Sequence, residues 1–218
     1  MMIPVLTIDG PSGAGKGTVS RAVAKRLGWH YLDSGSIYRS LAIAVLQQDV
    51  ELQNVDAIVR IGEAMTLAFE CGDDLLVRLN GVDITAHLGT ETTGNAASII
   101  AAYPAVRALL LQNQKDFQRL PGLVADGRDM GSVVFPDASY KVYLTASAEE
   151  RALRRYKQMI EKGIDANLVQ ITQEIEERDR RDRERATAPL TVPEGATFID
   201  SSQLSIEQVI DRVMDLVR

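Results

Sequence analysis

The sequence predicts an α/β fold in which helices cover both faces of a mostly parallel sheet. Three observations predict it. Short apolar runs alternate with segments of helical period along most of the chain. The first apolar run, Ile3–Asp9, leads directly into GPSGAGKGT at 10–18, the strand–glycine loop–helix order of a phosphate-binding loop. Polar loops rich in arginine then follow several strands, at the carboxyl ends where such sheets bind ligands.

Each element has a local reason. Ile3–Asp9 is a first strand, its largely apolar run Ile3–Ile8 being what a buried parallel strand requires. Lys16–Leu27 lines Val19, Ala22, Val23 and Leu27 on one helical face and stops at Gly28. Trp29–Leu32 is a short second strand. Asp33-Ser34-Gly35 turns the chain into a helix striped by Ile37, Leu41, Ala42 and Val45, and residues 55–66 are helical in pattern. The texture then changes: Leu67–Cys71, Leu75–Asn80 and Val82–Thr85 alternate or carry β-formers, with the hairpin signal Asn80-Gly81 between the last two. Residues 67–90 are therefore expected to be an inserted antiparallel lobe. Residues 91–102 and 105–119 are helical, with a break at Pro104. Pro121-Gly122 turns into the strand Leu123–Asp126, and Lys141–Thr145 is the next strand. Ser147 and Glu150 form a capping box for a helix ending near Gly163, and another helix spans 167–185. Thr197–Ile199 is the last strand. Ser205 with Gln208 caps a final helix striped by Ile206, Val209, Ile210 and Val213.

Bulk properties narrow the function classes. The 218 residues, 45% hydrophobic, suffice for one domain spanning 1–218. A net charge of −6 argues against a general nucleic-acid binder. Cys71 is the only cysteine, so no internal disulfide forms and a reducing compartment is expected. No apolar run nears the ~18 residues of a membrane span, and the apolar stretch 2–8 is too short for a signal peptide. A cytoplasmic protein without membrane or nucleic-acid partners is expected. Its default state is a monomer, because no exposed apolar stripe stands out.

Four clusters carry chemistry. In Gly10, Pro11, Ser12, Gly13, Ala14, Gly15, Lys16, Gly17 and Thr18, glycines aim backbone N–H groups at an anion and the following helix adds its positive end. Lys16 supplies a point charge for the β/γ phosphates of a nucleoside triphosphate, and Thr18 an oxygen for Mg²⁺. Asp33 through Arg39 is either a capped helix with a solvated Arg39 or an acceptor site in which Arg39 holds a second phosphate. Asp126-Gly127-Arg128-Asp129-Met130-Gly131 closes a strand. Asp126 has the place of the carboxylate that organises Mg²⁺, and the adjacent Arg128 and Asp129 fit a working loop better than a surface ion pair. The run 178–185 holds five arginines in eight residues. Such a run is usually a solvated helix, yet Arg178, Asp182 and Arg185 share one face. Arg151, Arg154, Arg155 and Lys157 form a similar set one helix earlier. Joining two phosphorylated nucleotides requires fixed cations to neutralise their repulsion, and a phosphate acceptor needs no catalytic base. Anion loop plus arginine clamps meets that requirement.

The blocks GPSGAGKGT, LDSGSIYR, NAAS, ADGRDMGSVVFPDA and ERDRRDRERATAPL, in this order over nearly the whole chain, resemble the bacterial type of the cytidylate kinase family. The resemblance implies a P-loop three-layer fold with a five-stranded parallel sheet. It also implies a nucleotide-monophosphate-binding insert at 67–90 and a helical lid at 151–167. It implies a phosphotransferase of pyrimidine metabolism: ATP and CMP (or dCMP) give ADP and CDP (or dCDP), with Mg²⁺. By position, residues 10–18 would hold ATP, and Arg39 and Arg128 would grip the CMP phosphate. Ser98, Arg107, Asp129 and Arg185 would address cytosine. Asp33, Ser34, Tyr38, Arg178 and Asp182 would line the acceptor pocket. The lid arginines, Arg155 among them, would close over the ATP phosphates. Lys16, Arg128, Arg155 and Arg178 would then be the catalytic charges, and Thr18 and Asp126 the metal groups. Asp129 facing the cytosine amino group predicts CMP and dCMP above UMP. A GTPase would need an Asn-Lys-x-Asp reader, which Asn113-Gln114-Lys115-Asp116 does not supply. A non-catalytic ATP-binding module would not need arginines at three strand ends. Adenylate and shikimate kinases share the loop and are not expected to carry NAAS with DGRDMGS.

Overall fold

A computed structural model describes residues 2–71, 75–161 and 163–217. The chain forms two compact units, Met1–Leu32 with Gln118–Arg218, and Asp33–Phe117. A five-stranded parallel sheet runs in the order β2-β6-β1-β7-β8, built from β1 (Val5–Asp9), β2 (His30–Asp33), β6 (Leu123–Gly127), β7 (Tyr140–Thr145) and β8 (Thr197–Asp200). β1 and β6 are buried along their whole length, which is why apolar residues dominate both. Asp9 pairs with Gly127 on one side and Tyr143 on the other, and Ile8 with Asp126. The register therefore levels Asp9, Asp126 and the residues after Gly127 on one sheet edge.

In the first unit, α1 (Lys16–Leu27) packs against β6 and against α9 (Ile206–Val217). Val19, Val23, Val209, Ile210 and Val213 supply the apolar faces. Arg26 ties the two helices with bonds to Glu207 (2.7 Å) and Asp211 (2.9 Å). The hairpin of α7 (Ala148–Glu161) and α8 (Leu168–Glu184) closes over its own core of Ala152, Ile171 and Ile175.

The second unit holds α2 (Ser34–Gln47), α3 (Val55–Ala64), the antiparallel sheet β3-β4-β5 (Leu67–Cys71, Leu75–Leu79, Val82–Asp83), α4 (Thr85–Leu88), α5 (Glu91–Ile100) and α6 (Pro104–Lys115). Ile43, Val77, Leu79, Ile84 and Leu88 form its core.

Most expected elements are present with shifted ends. The first strand begins at Val5 rather than Ile3, and the 55–66 and 105–119 helices stop at Ala64 and Lys115. The last strand of the insert is cut to Val82–Asp83. There Asp83 accepts the Thr85 N–H (2.9 Å) and Thr85 Oγ1 accepts the Val77 N–H (3.0 Å), which turns the chain into α4. After β6 a π-helical turn, Met130–Val134, appears where only a loop was expected.

Candidate active site

The glycine loop is held open by its own backbone. Gly13 and Gly15 have φ of 77° and 90°, and Gly15 caps α1 in the left-handed region, a conformation that favours glycine. Lys16 is 6% exposed and its Nζ donates to the Pro11 carbonyl (2.8 Å). Two side chains brace the loop from behind. Arg151 donates to the Ser12 carbonyl (2.9 Å), and Ser201 Oγ lies against the Ala14 carbonyl (3.5 Å) and that of Thr145 (3.0 Å).

Asp9, the residue just before the loop, is fully buried. Its carboxylate accepts the Met130 and Gly131 N–H groups, each at 2.7 Å, and so anchors the first turn of the π-helical segment. Gly131 fits because it lacks a Cβ: an added one would lie 2.7 Å from Thr7 Oγ1 and 3.3 Å from Asp9 Oδ2. Burial pushes the Asp9 carboxyl up from 3.8 to about 6. The two N–H bonds and Lys16 pull against that rise, and the Asp129 charge adds to it.

This anchored turn presents Arg128 and Asp129. Arg128 Nε donates to Asp182 Oδ2 at 2.8 Å, with side chains 17% and 5% exposed. Arg185 Nη2 lies 3.6 Å from Asp129 Oδ1, both side chains 4% exposed. Burial opposes the charge on Arg128, yet Asp182, Asp179 and Asp126 outweigh it and hold its pKa above the usual value. Burial likewise opposes the charge on Asp182, and Arg128, Arg178 and Arg185 hold its carboxyl below the usual range. Both groups stay ionised through neutral pH. Arg185 caps α8 and its Nε donates to the Ala188 carbonyl (2.6 Å), which fixes the guanidinium beside Asp129.

Asp126 suits the magnesium role by its surroundings. It ends a buried strand, is 5% exposed, and accepts the Tyr31 hydroxyl at 2.8 Å. A Cβ placed at Gly17 would lie 3.9 Å from Asp126 Oδ2, so the first turn of α1 runs beside this carboxylate. Thr18 is exposed and lies one helical step past the position that faces Asp126. Among the described residues no three His, Cys, Asp or Glu side chains gather as a cage. Mg²⁺ normally takes one or two carboxylates and completes its shell with water and phosphate oxygens, and Asp126 fits that demand.

Within the second unit the predicted residues divide. Asp33 is the N-cap of α2: its Oδ1 accepts the Ser36 N–H (3.1 Å) and its Oδ2 the Ser36 hydroxyl (2.6 Å). Ser34 donates to Gln114 Oε1 (2.8 Å). Tyr38 and Arg107 come together, the guanidinium carbon 5.5 Å from the ring centroid, and Arg107 also donates to the Ala101 carbonyl (3.3 Å). That cation–π contact orients a planar donor. Ser98 is buried on α5. Arg39 has a buried Nε without a hydrogen-bond partner among the described residues.

Three residues escaped the sequence reading: Asp9, Asp179 and the inward turn of Arg151. Asp179 accepts from Arg151 Nη2 at 2.6 Å. The signal for it was present: Ile171, Ile175 and Asp179 follow one another at i+4 on the buried face of α8. Among the arginines at the start of the lid segment, Arg151 is turned inward, and Arg154 binds Glu150 (3.1 Å) and the Ser201 carbonyl (2.7 Å).

The sequence profile of the cytidylate kinase family matches residues 6–218. A protein of Methylococcus capsulatus named cytidylate kinase is 56% identical over 216 residues, covering 99% of this chain and 97% of that protein. One of Aeromonas salmonicida with the same name is 53% identical over 214 residues, covering 98% and 93%. Among solved structures, a gluconokinase from Sinorhizobium meliloti superposes with a TM-score of 0.50 at 12% identity, covering 99% of this chain and 92% of that one. That likeness extends to the fold alone.

Proposed function

The chain belongs to the cytidylate kinase family of phosphotransferases, and from that premise we propose that it moves the γ-phosphoryl group of ATP in line onto the phosphate of CMP or dCMP. The observation that carries this reading is the pairing, at one sheet edge, of an anion loop with two buried carboxylate–guanidinium pairs, Arg128–Asp182 and Arg185–Asp129. The loop is pre-formed, so its N–H groups meet the ATP phosphates without reorganisation. Lys16 leaves the Pro11 carbonyl for the β/γ oxygens. Arg128, held ionised and aimed by Asp182, takes the acceptor's phosphate, and Arg178 and Arg155 add positive charge against the negative charge of the transferring phosphoryl group. In the second unit, Arg39, Asp33, Ser34 and Tyr38 are the residues that the family resemblance gives to the acceptor nucleotide. Asp129 accepts a hydrogen bond from the cytosine amino group and Arg185 donates to the base; in the second unit, Arg107 and Ser98 are the residues that the family resemblance gives to cytosine. Asp126 and Thr18 would hold Mg²⁺, which would supply charge neutralisation for the phosphates. Residues 151–167 serve as the lid that excludes water. Among the described residues no single helix is long and apolar enough to cross a membrane. A monomer working in the cytoplasm completes the proposal.

Uracil would set a carbonyl where Asp129 needs a donor, and a ring N–H where an acceptor is needed, leaving a buried mismatch of about 1–3 kcal/mol, or roughly 5- to 150-fold in kcat/KM. A coupled ADP-release assay across CMP, dCMP, UMP, AMP and shikimate tests the proposal. CMP and dCMP should lead. ADP release that ignores the acceptor would overturn the kinase reading, and equal use of UMP and CMP would overturn the role of Asp129.

A further inference from the structure

Arg151 sits at the start of the segment expected to cover ATP, yet its side chain is 5% exposed and faces inward. Its guanidinium donates to three separate places: Nε to the Ala146 carbonyl (3.0 Å), Nη1 to the Ser12 carbonyl (2.9 Å) and Nη2 to Asp179 Oδ2 (2.6 Å). These acceptors belong to the end of β7, the anion loop and α8. The loop is shaped to receive it, since a Cβ added at Gly13 would come within 3.2 Å of Arg151 Cβ.

The geometry has two consequences. A trans peptide points its C=O and N–H in opposite directions. Holding the Ser12 carbonyl on Arg151 therefore turns the Gly13 N–H away from Arg151, as a loop that binds anions through N–H groups requires. Asp179 also lies one residue after Arg178 and three before Asp182, the carboxylate that aims Arg128. One buried pair thus links the donor loop to the helix that directs the acceptor's arginine. Asp179 Oδ1 is buried with no hydrogen-bond partner among the described residues. A pair left half-satisfied is a poor device for stability alone, because buried ion pairs are often matched or bettered by apolar residues of similar size.

We propose that Arg151 and Asp179 form a positioning pair that fixes the Ser12–Gly13 peptide of the anion loop and locks it in register with α8. This rests on the reading of residues 10–18 as the ATP loop. Neither residue touches the reacting atoms; the pair acts through the loop, with α8 as its anchor.

The test is the double variant Arg151→Met/Asp179→Leu, which removes the pair without stranding a charge, alongside Arg151→Lys, which keeps the charge but not the fork. Thermal melting, kcat, both KM values, and direct binding of a non-hydrolysable ATP analogue and of CMP alone are measured. The double variant should melt near the parent and bind CMP alone as the parent does. Its kcat/KM for ATP should fall about 10²-fold, the scale of a 1 Å misplacement, with weakened analogue binding, and Arg151→Lys should not restore it. Parental ATP kinetics in the folded double variant would overturn the proposal, as would a parallel loss of CMP binding, ATP binding and melting temperature. Should the double variant not fold, a folded Arg151→Lys with the parent's ATP KM overturns it equally, and one with a raised ATP KM at unchanged CMP binding supports it. A parent enzyme that binds the ATP analogue but never phosphorylates CMP would defeat the kinase reading instead, leaving the analogue-binding comparison to decide the role of the pair.

Discussion

Replacing Asp9 by Asn isolates a buried carboxylate whose ionisation the fold resists. Its pKa rises from 3.8 to about 6 on folding, with burial the largest cause. A group raised in this way stabilises the protein fully below 3.8 and loses that contribution as pH climbs through 6. The whole shift corresponds to about 3 kcal/mol at ~1.4 kcal/mol per unit. Only the part between pH 5 and 7 is reachable while most other carboxylates stay ionised, and about one unit lies there, worth about 1 kcal/mol. Asn cannot titrate. It accepts only one of the Met130 and Gly131 N–H groups and faces the other with its own N–H₂, a mismatch of about 1–3 kcal/mol at every pH. The variant should therefore be less stable than the parent at pH 5 and gain on it by about 1 kcal/mol by pH 7. Urea unfolding of both proteins at pH 5, 6 and 7 reads this directly. A stability difference flat across those three pH values, or one moving the other way, would refute the claim that burial dominates at Asp9.

Other substitutions probe the remaining parts of the site. Lys16→Ala should cut kcat by about 10²–10³-fold or more while the circular dichroism spectrum stays that of the parent, because a charge aimed at the transferring group is lost; substantial retained activity would refute its role. Gly131→Ala forces a Cβ to within 2.7 Å of Thr7 Oγ1 and 3.2 Å of Pro193 Cγ, and should cost about 1–3 kcal/mol of stability by overpacking; an unchanged urea midpoint would contradict the contact. Asp182→Asn weakens the hold on Arg128 and should destabilise by up to about 3–5 kcal/mol, the cost of stranding a buried charge, while raising the KM for CMP. Because the Asp182 carboxyl is held below its usual range, its contribution is present above pH 3.8 and lost only as acid reaches the folded pKa. The Asn penalty should stay level from pH 6 to 8, and a penalty varying across that range would count against an ionised pair.

What the sequence discloses and what it hides divide along a physical line. The anion loop is legible because its demands are local: glycines at 13 and 15 take positive φ, and α1 runs from Lys16 to Leu27 as its stripe and Gly28 predict. The Asn80-Gly81 hairpin and the Ser147–Glu150 cap are legible for the same reason, the latter seen in the Glu150 N–H bond to Ser147 Oγ (3.2 Å). The sequence singles out Arg128, Asp129 and Asp182 by their place after a strand or on a helix face. Their pairing is not legible, because Arg128 and Asp182 are 54 positions apart. Asp9 and the π-helical turn depend on each other across 121 positions, and the end of an apolar strand does not announce a buried anchor.

Arginine-rich helices mislead for a further reason. A solvated-surface reading treats charge as the opposite of burial, yet α8 buries Ile171, Ile175, Asp179 and Asp182 along one continuous face. The first two meet the apolar side of α7 and the last two meet the guanidinium groups of Arg151 and Arg128. A carboxylate that continues an apolar stripe is therefore a stronger sign of a buried partner than any count of arginines. Exposed Arg180 and Arg183, on the same helix and off that stripe, are the contrast. By that criterion Asp179 marks the end of α8 that turns toward the anion loop, and the arginine it selects is the one that holds the loop's own backbone.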